Sequence, residues 1–329
     1  MAEPTFQQRL EYYGLSAVVW LVGRLPYGAL RRLAAVVGSI AYHADKRGRQ
    51  VARANLDAAF GDKYTPKEKA RIAERSYQTF ARTMLELFWA PNLSPERFQQ
   101  LAVVEGLDHP SGHKEIGKPV IYLCLHYSNF EWMSLISAYI VEPGLVITQK
   151  FRNPLLGAIF DRLRSSTGHQ IFPQERAMIR MLKHLKSGGK FSMLNDLNID
   201  PDEAGVIIET FGGLKLCATQ MHAALAMRTG ALIMPVECHP MPDGRVRMHI
   251  HPPLEYPEGA TAAEVTQLCW NVLEPSIHAE PHLWLWAYKH WRFKPSQGDT
   301  SRYPFYSNVA KRFDKLLRET EKAKKDRAA

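Results

Sequence analysis

No stretch of this chain is long and apolar enough to read as a bilayer span. Its two apolar runs near the start, Tyr12 to Gly23 and Leu33 to Ala44, cover about 12 residues each, short of the roughly 18 to 20 that a crossing helix needs. A signal-peptide cleavage pattern is missing, and only Arg9 precedes the first run where a basic flank would be expected. Cysteine is scarce: Cys124, Cys217, Cys238 and Cys269 are widely spaced with no C-x-x-C. That excludes a disulfide framework and a recognisable zinc site, and suits reduced, buried thiols in a cytosol-facing protein. Internal repeats and low-complexity linkers are lacking too. Acidic residues are outnumbered, 33 Asp and Glu against 42 Lys and Arg, for a net charge of +9. Such a surplus points to anionic partners: phosphorylated substrates, acidic lipid surfaces, an acidic carrier protein or nucleic acid. Nucleic acid is the weakest of these, because no nucleic-acid motif is present and the densest basic runs lie near the chain ends.

What is present describes a globular protein, 46% hydrophobic and 23% charged, long enough for one large domain or two smaller ones. The first 55 or so residues carry Tyr12, Tyr13, Trp20, Tyr27 and Tyr42, with Lys46, Arg47, Arg49 and Arg53 following. Aromatic rings and basic flanks suit helices that lie in or dip into a membrane surface. A soluble helical hairpin packed on the main domain is the other reading. Residues 51–100 read as helical, with Thr65 as N-cap and Pro66 at the first helical position. Strand patterns follow at 119–125, 145–149, 190–195, 206–211, 231–238 and 245–251. Between them, Glu175 to Ser187 carries a helical stripe (Met178, Met181, Leu182, Leu185) ended by Gly188-Gly189, and Ala218 to Thr229 is a helix closed by Gly230. This alternation predicts an α/β fold: a central, mainly parallel or mixed sheet covered by helices, behind an N-terminal helical membrane-associating region. Three parts are expected: membrane-associating helices over 1–55, an α/β domain with a helical lead-in over 56–305, and a basic helix or tail over 306–329. From Lys311 onward, eight Lys/Arg stand against four Asp/Glu.

The residues able to do chemistry begin where the strand 119–125 stops, at His126-Tyr127-Ser128-Asn129-Phe130-Glu131. Ligands of open α/β sheets bind just beyond the carboxyl ends of strands. If a helix starts near Asn129, Glu131 in its first turn can point back at the imidazole. A carboxylate accepting one ring N–H fixes the tautomer and leaves the other nitrogen free to take a proton. That is equipment for deprotonating a hydroxyl that then attacks an acyl carbonyl. The plainer alternative is a helix-capping histidine and a solvated glutamate.

Other polar groups also fall at strand ends. Arg152 and Asn153 would grip a phosphate or an acyl-carrying group, or make a turn. Arg162 and Arg164 sit on an amphipathic stretch. Asp196 follows the strand 190–195, with Asp200, Asp202 and Glu203 in the same loop, but the spacing lacks the ladder of a calcium loop. His249 and His251 belong to ordinary half-buried alternation with no third ligand. Neither a metal nor a cofactor is expected. Trp284, Trp286, Trp291 and Phe293 interleave with Lys289, His290, Arg292 and Lys294, which fits a lipid headgroup interface or a core strand with cationic edges.

Taken in order, these blocks resemble the late lipid A biosynthesis acyltransferases, the lauroyl/myristoyl group of the lysophospholipid acyltransferase-like superfamily. The resemblance starts at Leu25-Pro26 and Arg53-Ala54-Asn55-Leu56. It includes His126 to Glu131 as an H-x-x-x-x-D/E block, Arg152-Asn153-Pro154, Arg162-Leu163-Arg164-Ser165, Asp196, Thr229-Gly230-Ala231 and Pro235. It closes on Trp284-Leu285-Trp286 and Trp291-Arg292-Phe293-Lys294. It implies transfer of a fatty acyl group from an acyl carrier protein thioester to a hydroxyl of a lipid A precursor or related glycolipid, at the cytoplasmic face of the inner membrane. His126 would be the general base and Glu131 its orienting partner, without a covalent acyl-enzyme. Asn129, Arg152, Asn153, Arg164 and Asp196 would bind substrate or support the site. Leu197 departs from the polar residue many relatives carry after the aspartate. An acyltransferase for another glycolipid or a lysophospholipid, and a non-catalytic lipid-binding protein on the same scaffold, are the alternatives.

Overall fold

The computed structural model describes residues 3–106, 118–140, 143–148, 151–173 and 177–328. Helices dominate the first hundred residues: α1 (Phe6–Val22), α2 (Tyr27–Ala44), α3 (Lys46–Phe60), α4 (Pro66–Trp89) and α5 (Pro95–Leu101). Thr65 caps α4 as expected, its side chain accepting from the Glu68 N–H while Glu68 returns the bond, with Pro66 at the first helical position. α2 packs against α4 so closely at Gly38 that a Cβ there would stand 2.3 Å from the Gln78 Cα. Large apolar side chains of α1 and α2 remain exposed, among them Phe6, Leu10, Tyr13, Trp20, Val36 and Ile40. Among the described residues no helix is long and apolar enough to cross a membrane.

The rest of the chain alternates strand and helix: β1 (Ala102–Glu105), β2 (Val120–Cys124), α6 (Phe130–Ile140), β3 (Leu145–Thr148), α7 (Pro154–Arg164), β4 (Gln170–Pro173), α8 (Ala177–Lys186), β5 (Lys190–Leu194), β6 (Gly205–Thr210), β7 (Leu214–Thr219), α9 (Met221–Thr229), β8 (Leu232–Pro240), β9 (Val246–Ile250) and α10 (Ala262–Ala279). Two-residue strands β10 (Phe293–Lys294) and β11 (Asn308–Val309) pair with each other before α11 (Lys311–Ala328). Seven strands form one sheet in the order β1-β9-β8-β2-β5-β3-β4. Every neighbouring pair is parallel except β8 with β9, so the sheet is mixed and mainly parallel.

The centre of the sheet is β2, all five residues buried. Val120, Tyr122 and Cys124 face a core shared with α6 and α7, whereas Ile121 and Leu123 face one shared with α8, α9 and α10. Strand alternation thus feeds two cores, and each fully buried Ile or Leu adds about 1.5–3 kcal/mol of burial.

Several sequence-based boundaries shift. The strand expected at 206–211 pairs only with β7, as a separate antiparallel hairpin. Phe211 falls in its turn with φ 44°, beside Gly212 and Gly213 at 65° and 122°. Ala218 and Thr219, expected to be helical, belong to β7, so α9 begins at Met221. Gly230 closes α9 in the left-handed conformation, φ 68°, as its position suggested. Glu175 and residue 149 lie outside the described residues.

Candidate active site

The strand-to-helix turn after β2 is held from beneath by α4. Ser128 adopts a left-handed backbone, φ 51°, rare for a residue with a side chain. Its carbonyl accepts from Thr83 Oγ1 at 2.8 Å, and its N–H donates to the Leu283 carbonyl at 2.7 Å. Asn129 accepts from the Trp132 N–H at 2.9 Å and donates to the carboxylate of Glu86. Glu86, fully buried, also receives the Tyr27 hydroxyl and Arg82 Nε at 2.7 Å each. Both side-chain polar atoms of Asn129 are thus committed inside the fold, one capping the turn into α6 and the other tying it to α4.

Held in this way, His126 meets Asp196 at the end of β5. The His126 N–H donates to Oδ2 at 2.8 Å, and Nδ1 lies 2.7 Å from Oδ1. A carboxylate only accepts, so Nδ1 carries the proton. Trp284 Nε1 gives Oδ2 a further bond at 2.7 Å, and the Trp284 ring stacks on His290 at 3.8 Å. Asp196 has no exposed surface. Burial alone would raise its pKa, but attraction to the His126 imidazole it faces and the bond from Nδ1–H outweigh that and hold the carboxyl below its ordinary range. Backbone and ring of His126 are therefore gripped by one ionised side chain. Among the described residues Nε2 has no hydrogen-bond partner.

Glu131 does not orient the imidazole, contrary to the sequence expectation. Its two oxygens are taken by Arg164, Nη2 to Oε1 at 2.6 Å and Nε to Oε2 at 3.0 Å. In the first turn of α6 the glutamate faces the last turn of α7, which brings the guanidinium to it. Proximity in the chain suggested the wrong carboxylate. The right one lies 70 positions downstream at the neighbouring strand end, where only the sheet order brings it.

His126, Phe130, Glu131 and Arg164 contribute to the wall of a cavity of about 870 Å³, within the size range of ligand sites. Its wall is otherwise rich in aliphatic and methionine side chains. Arg152 is exposed and Asn153 buried, and neither lines the cavity. Asn153 caps α7, accepting from the Leu155 N–H at 3.1 Å, and donates to the Gln8 carbonyl and Glu11 at 3.0 and 2.9 Å. Its turn reading holds, together with a tie to α1 that the sequence did not suggest. Among the described residues no group of three side chains could hold a metal ion. His251 pairs with Glu237 at 2.9 Å and His249 with Glu105 at 3.4 Å. Trp284, Trp286 and Trp291 are buried core residues, which settles the tryptophan-rich segment against a lipid interface. Trp284, Glu86 and Thr83 were not legible as site residues, because their partners are set by tertiary packing alone.

A buried-carboxylate–histidine pair at the wall of a large, mostly apolar cavity, at the carboxyl edge of an α/β sheet, is an arrangement suited to acyl transfer. The chain matches the family described as bacterial lipid A biosynthesis acyltransferase over residues 5–293, and belongs to that family. It is an acyltransferase by that membership. It is 24% identical to the lipid A biosynthesis lauroyltransferase of Escherichia coli (strain K12), over 87% of this chain and 92% of that one. A lipid A biosynthesis acyltransferase of Haemophilus influenzae is 21% identical over 74% of this chain and 76% of its own. The phosphatidylinositol mannoside acyltransferase of Mycolicibacterium smegmatis is 24% identical over 67% and 72%.

Proposed function

We propose that this protein moves a fatty acyl chain from an acyl carrier protein thioester to a hydroxyl of a lipid A precursor, at the cytoplasmic face of the inner membrane. The observation that carries the chemistry is His126, whose Nδ1–H donates to buried Asp196 and whose Nε2, at the cavity wall, has no partner among the described residues. Nε2 takes the acceptor hydroxyl proton as the oxygen attacks the thioester carbonyl. The tetrahedral oxyanion collapses, the carbon–sulfur bond breaks, and the imidazolium returns its proton to the departing thiolate. Asp196 keeps the tautomer and stabilises the transient imidazolium. Glu131 holds Arg164 at the cavity wall, where its charge can face the substrate's polar end.

Direct transfer is favoured over a covalent acyl-enzyme. Cys124 lines the same cavity, but burial pushes its thiol far above the ordinary range, and its Sγ donates to the Met193 carbonyl at 3.4 Å. The exposed apolar faces of α1 and α2, with Arg24 stacked on Trp20 at 3.6 Å, support docking on a lipid surface. The likeness to a phosphatidylinositol mannoside enzyme supports a second acceptor, another glycolipid. Purified protein supplied with labelled acyl carrier protein and each acceptor in turn tests both. Transfer to the lipid A precursor is expected, and transfer only to another glycolipid, or from acyl-CoA in preference to the carrier, would reassign the substrate.

A further inference from the structure

The sheet is not closed along its length. β2 pairs with β5 at five consecutive positions and β3 with β4 at four, but β3 meets β5 at a single pair, Leu145 with Phe191. The two strands touch at that base. A Cβ on Gly144 would stand 2.7 Å from the Lys190 carbonyl oxygen, so only glycine lets them approach there. Past that point no ladder joins them among the described residues.

Val146, Ile147 and Thr148 of β3 all line the cavity, and so do Ser192, Met193 and Leu194 of β5. Successive side chains of a strand point to opposite faces. A space bordered by three consecutive residues on each of two facing strands extends through the sheet between them. Its near part, under α6 on the His126 side, is walled by hydroxyls as well as carbons, with Ser134 and Ser137 among them. Its far part lies between α8 and α9, against Met178, Met181, Met221 and Ala224. Methionines make an apolar wall that adapts to a flexible chain, and the near part has Met133 and Met248 of its own, so a hydrocarbon finds such a wall on both faces of the sheet. Met221, Ala224 and Arg228 are spaced to share one face of α9, and Arg228, about one turn beyond Ala224, is exposed. An apolar chain end therefore gains nothing by reaching past Ala224.

We infer that a fatty acyl chain bound at this site passes through the sheet between β3 and β5, and that Met181 and Ala224 on the far face set the length accepted. The inference rests on the acyl-transfer reading for its ligand class but is tested apart from it. Binding of free fatty acids of graded length to the full-length protein is measured by calorimetry for wild type, Ala224→Leu, Met181→Ala and Ser137→Leu. Ala224→Leu should lower affinity for the longest tolerated chain relative to shorter ones, by about 10-fold per methylene that no longer fits. Met181→Ala should move the optimum to longer chains, which keeps the test informative if the leucine variant folds poorly. Ser137→Leu, in the near part, should leave the ranking of lengths unaltered. An unchanged ranking in both far-side variants, or a shift produced by Ser137→Leu instead, overturns the route. Transfer assays with acyl length varied on the donor, then on the acceptor, show which substrate owns the chain. A shifted binding ranking without any transfer would overturn the acyltransferase reading and leave the route standing.

Discussion

At the scale of residues, the division of labour between the two carboxylates decides the mechanism. Asp196 holds the proton-bearing nitrogen of His126, and Glu131 holds Arg164. Asp196→Asn places an amide where a carboxylate stood. Its N–H₂ can donate to Nδ1 and lock the wrong tautomer, so turnover should fall by about 10³–10⁴-fold. Glu131→Gln breaks one charge-assisted pair with Arg164 and should cost less, about 10- to 100-fold, since such bonds are worth about 1.5–3 kcal/mol. Steady-state rates of the two folded variants check the order, and a larger loss in Glu131→Gln would restore the glutamate as the orienting group. His126 was legible in sequence because a buried apolar strand ends immediately before it. Its partner was not, because β2 and β5 become neighbours only through a crossover that no local pattern records. The partner of Asn129 was hidden in the same way: its amide donates to Glu86 on α4, a contact set by tertiary packing alone.

At the scale of elements, short strands were the hard ones. β1 and β4 span four residues each, too few for alternation to stand out. β7 was hidden because its apolar residues continue into those of α9. Longer or fully apolar strands such as β2 and β8 were found within a residue or two.

Two elements carry predictions. Asn153 caps α7 and ties it to α1, so Asn153→Ala should lower stability by about 0.5–2 kcal/mol while kcat/KM of the folded protein holds. A raised KM with unchanged stability would return Asn153 to substrate binding. The second element is the junction of β8 with the end of α10. His239 there lies 3.0 Å from Glu237 through Nε2 and 3.0 Å from Glu280 through Nδ1, so both ring nitrogens donate and the imidazole is a cation. Burial would lower its pKa, but the two carboxylates outweigh that and raise it above the ordinary 6.5. A raised histidine contributes its full stability below its unfolded pKa and loses it as pH climbs through the folded value. Burial works to raise Glu237, yet its bonds to His239, His251 and Ser276 bring its pKa down to about 2. Its contribution is present above the ordinary 4.5 and fades as pH falls toward 2. The junction is thus strongest between these limits. The Tm gap between wild type and His239→Gln should be widest near pH 6 and narrow steadily toward pH 9. A gap independent of pH would contradict the charged clasp.

At the scale of the whole molecule, charge and exposed apolar surface point the same way. Trp20 and Leu21 are each more than half exposed on α1, and Trp20→Glu with Leu21→Glu should release the protein from anionic vesicles in a flotation assay. Undiminished binding would move the membrane contact elsewhere. With net charge +9, encounter with an acidic carrier should be steered electrostatically. kcat/KM for the carrier-linked donor should then fall more steeply with salt than for the same chain on a small thioester, detergent and acceptor held constant. The central claim is that His126 is the base of a direct acyl transfer onto a lipid A precursor. Mass spectrometry of that acceptor after incubation with acyl carrier protein donor, for wild type and a correctly folded His126→Ala, tests it most directly. One added acyl chain with wild type and a rate about 10²–10⁴-fold lower in the variant is the predicted result; equal rates for the two proteins would contradict it.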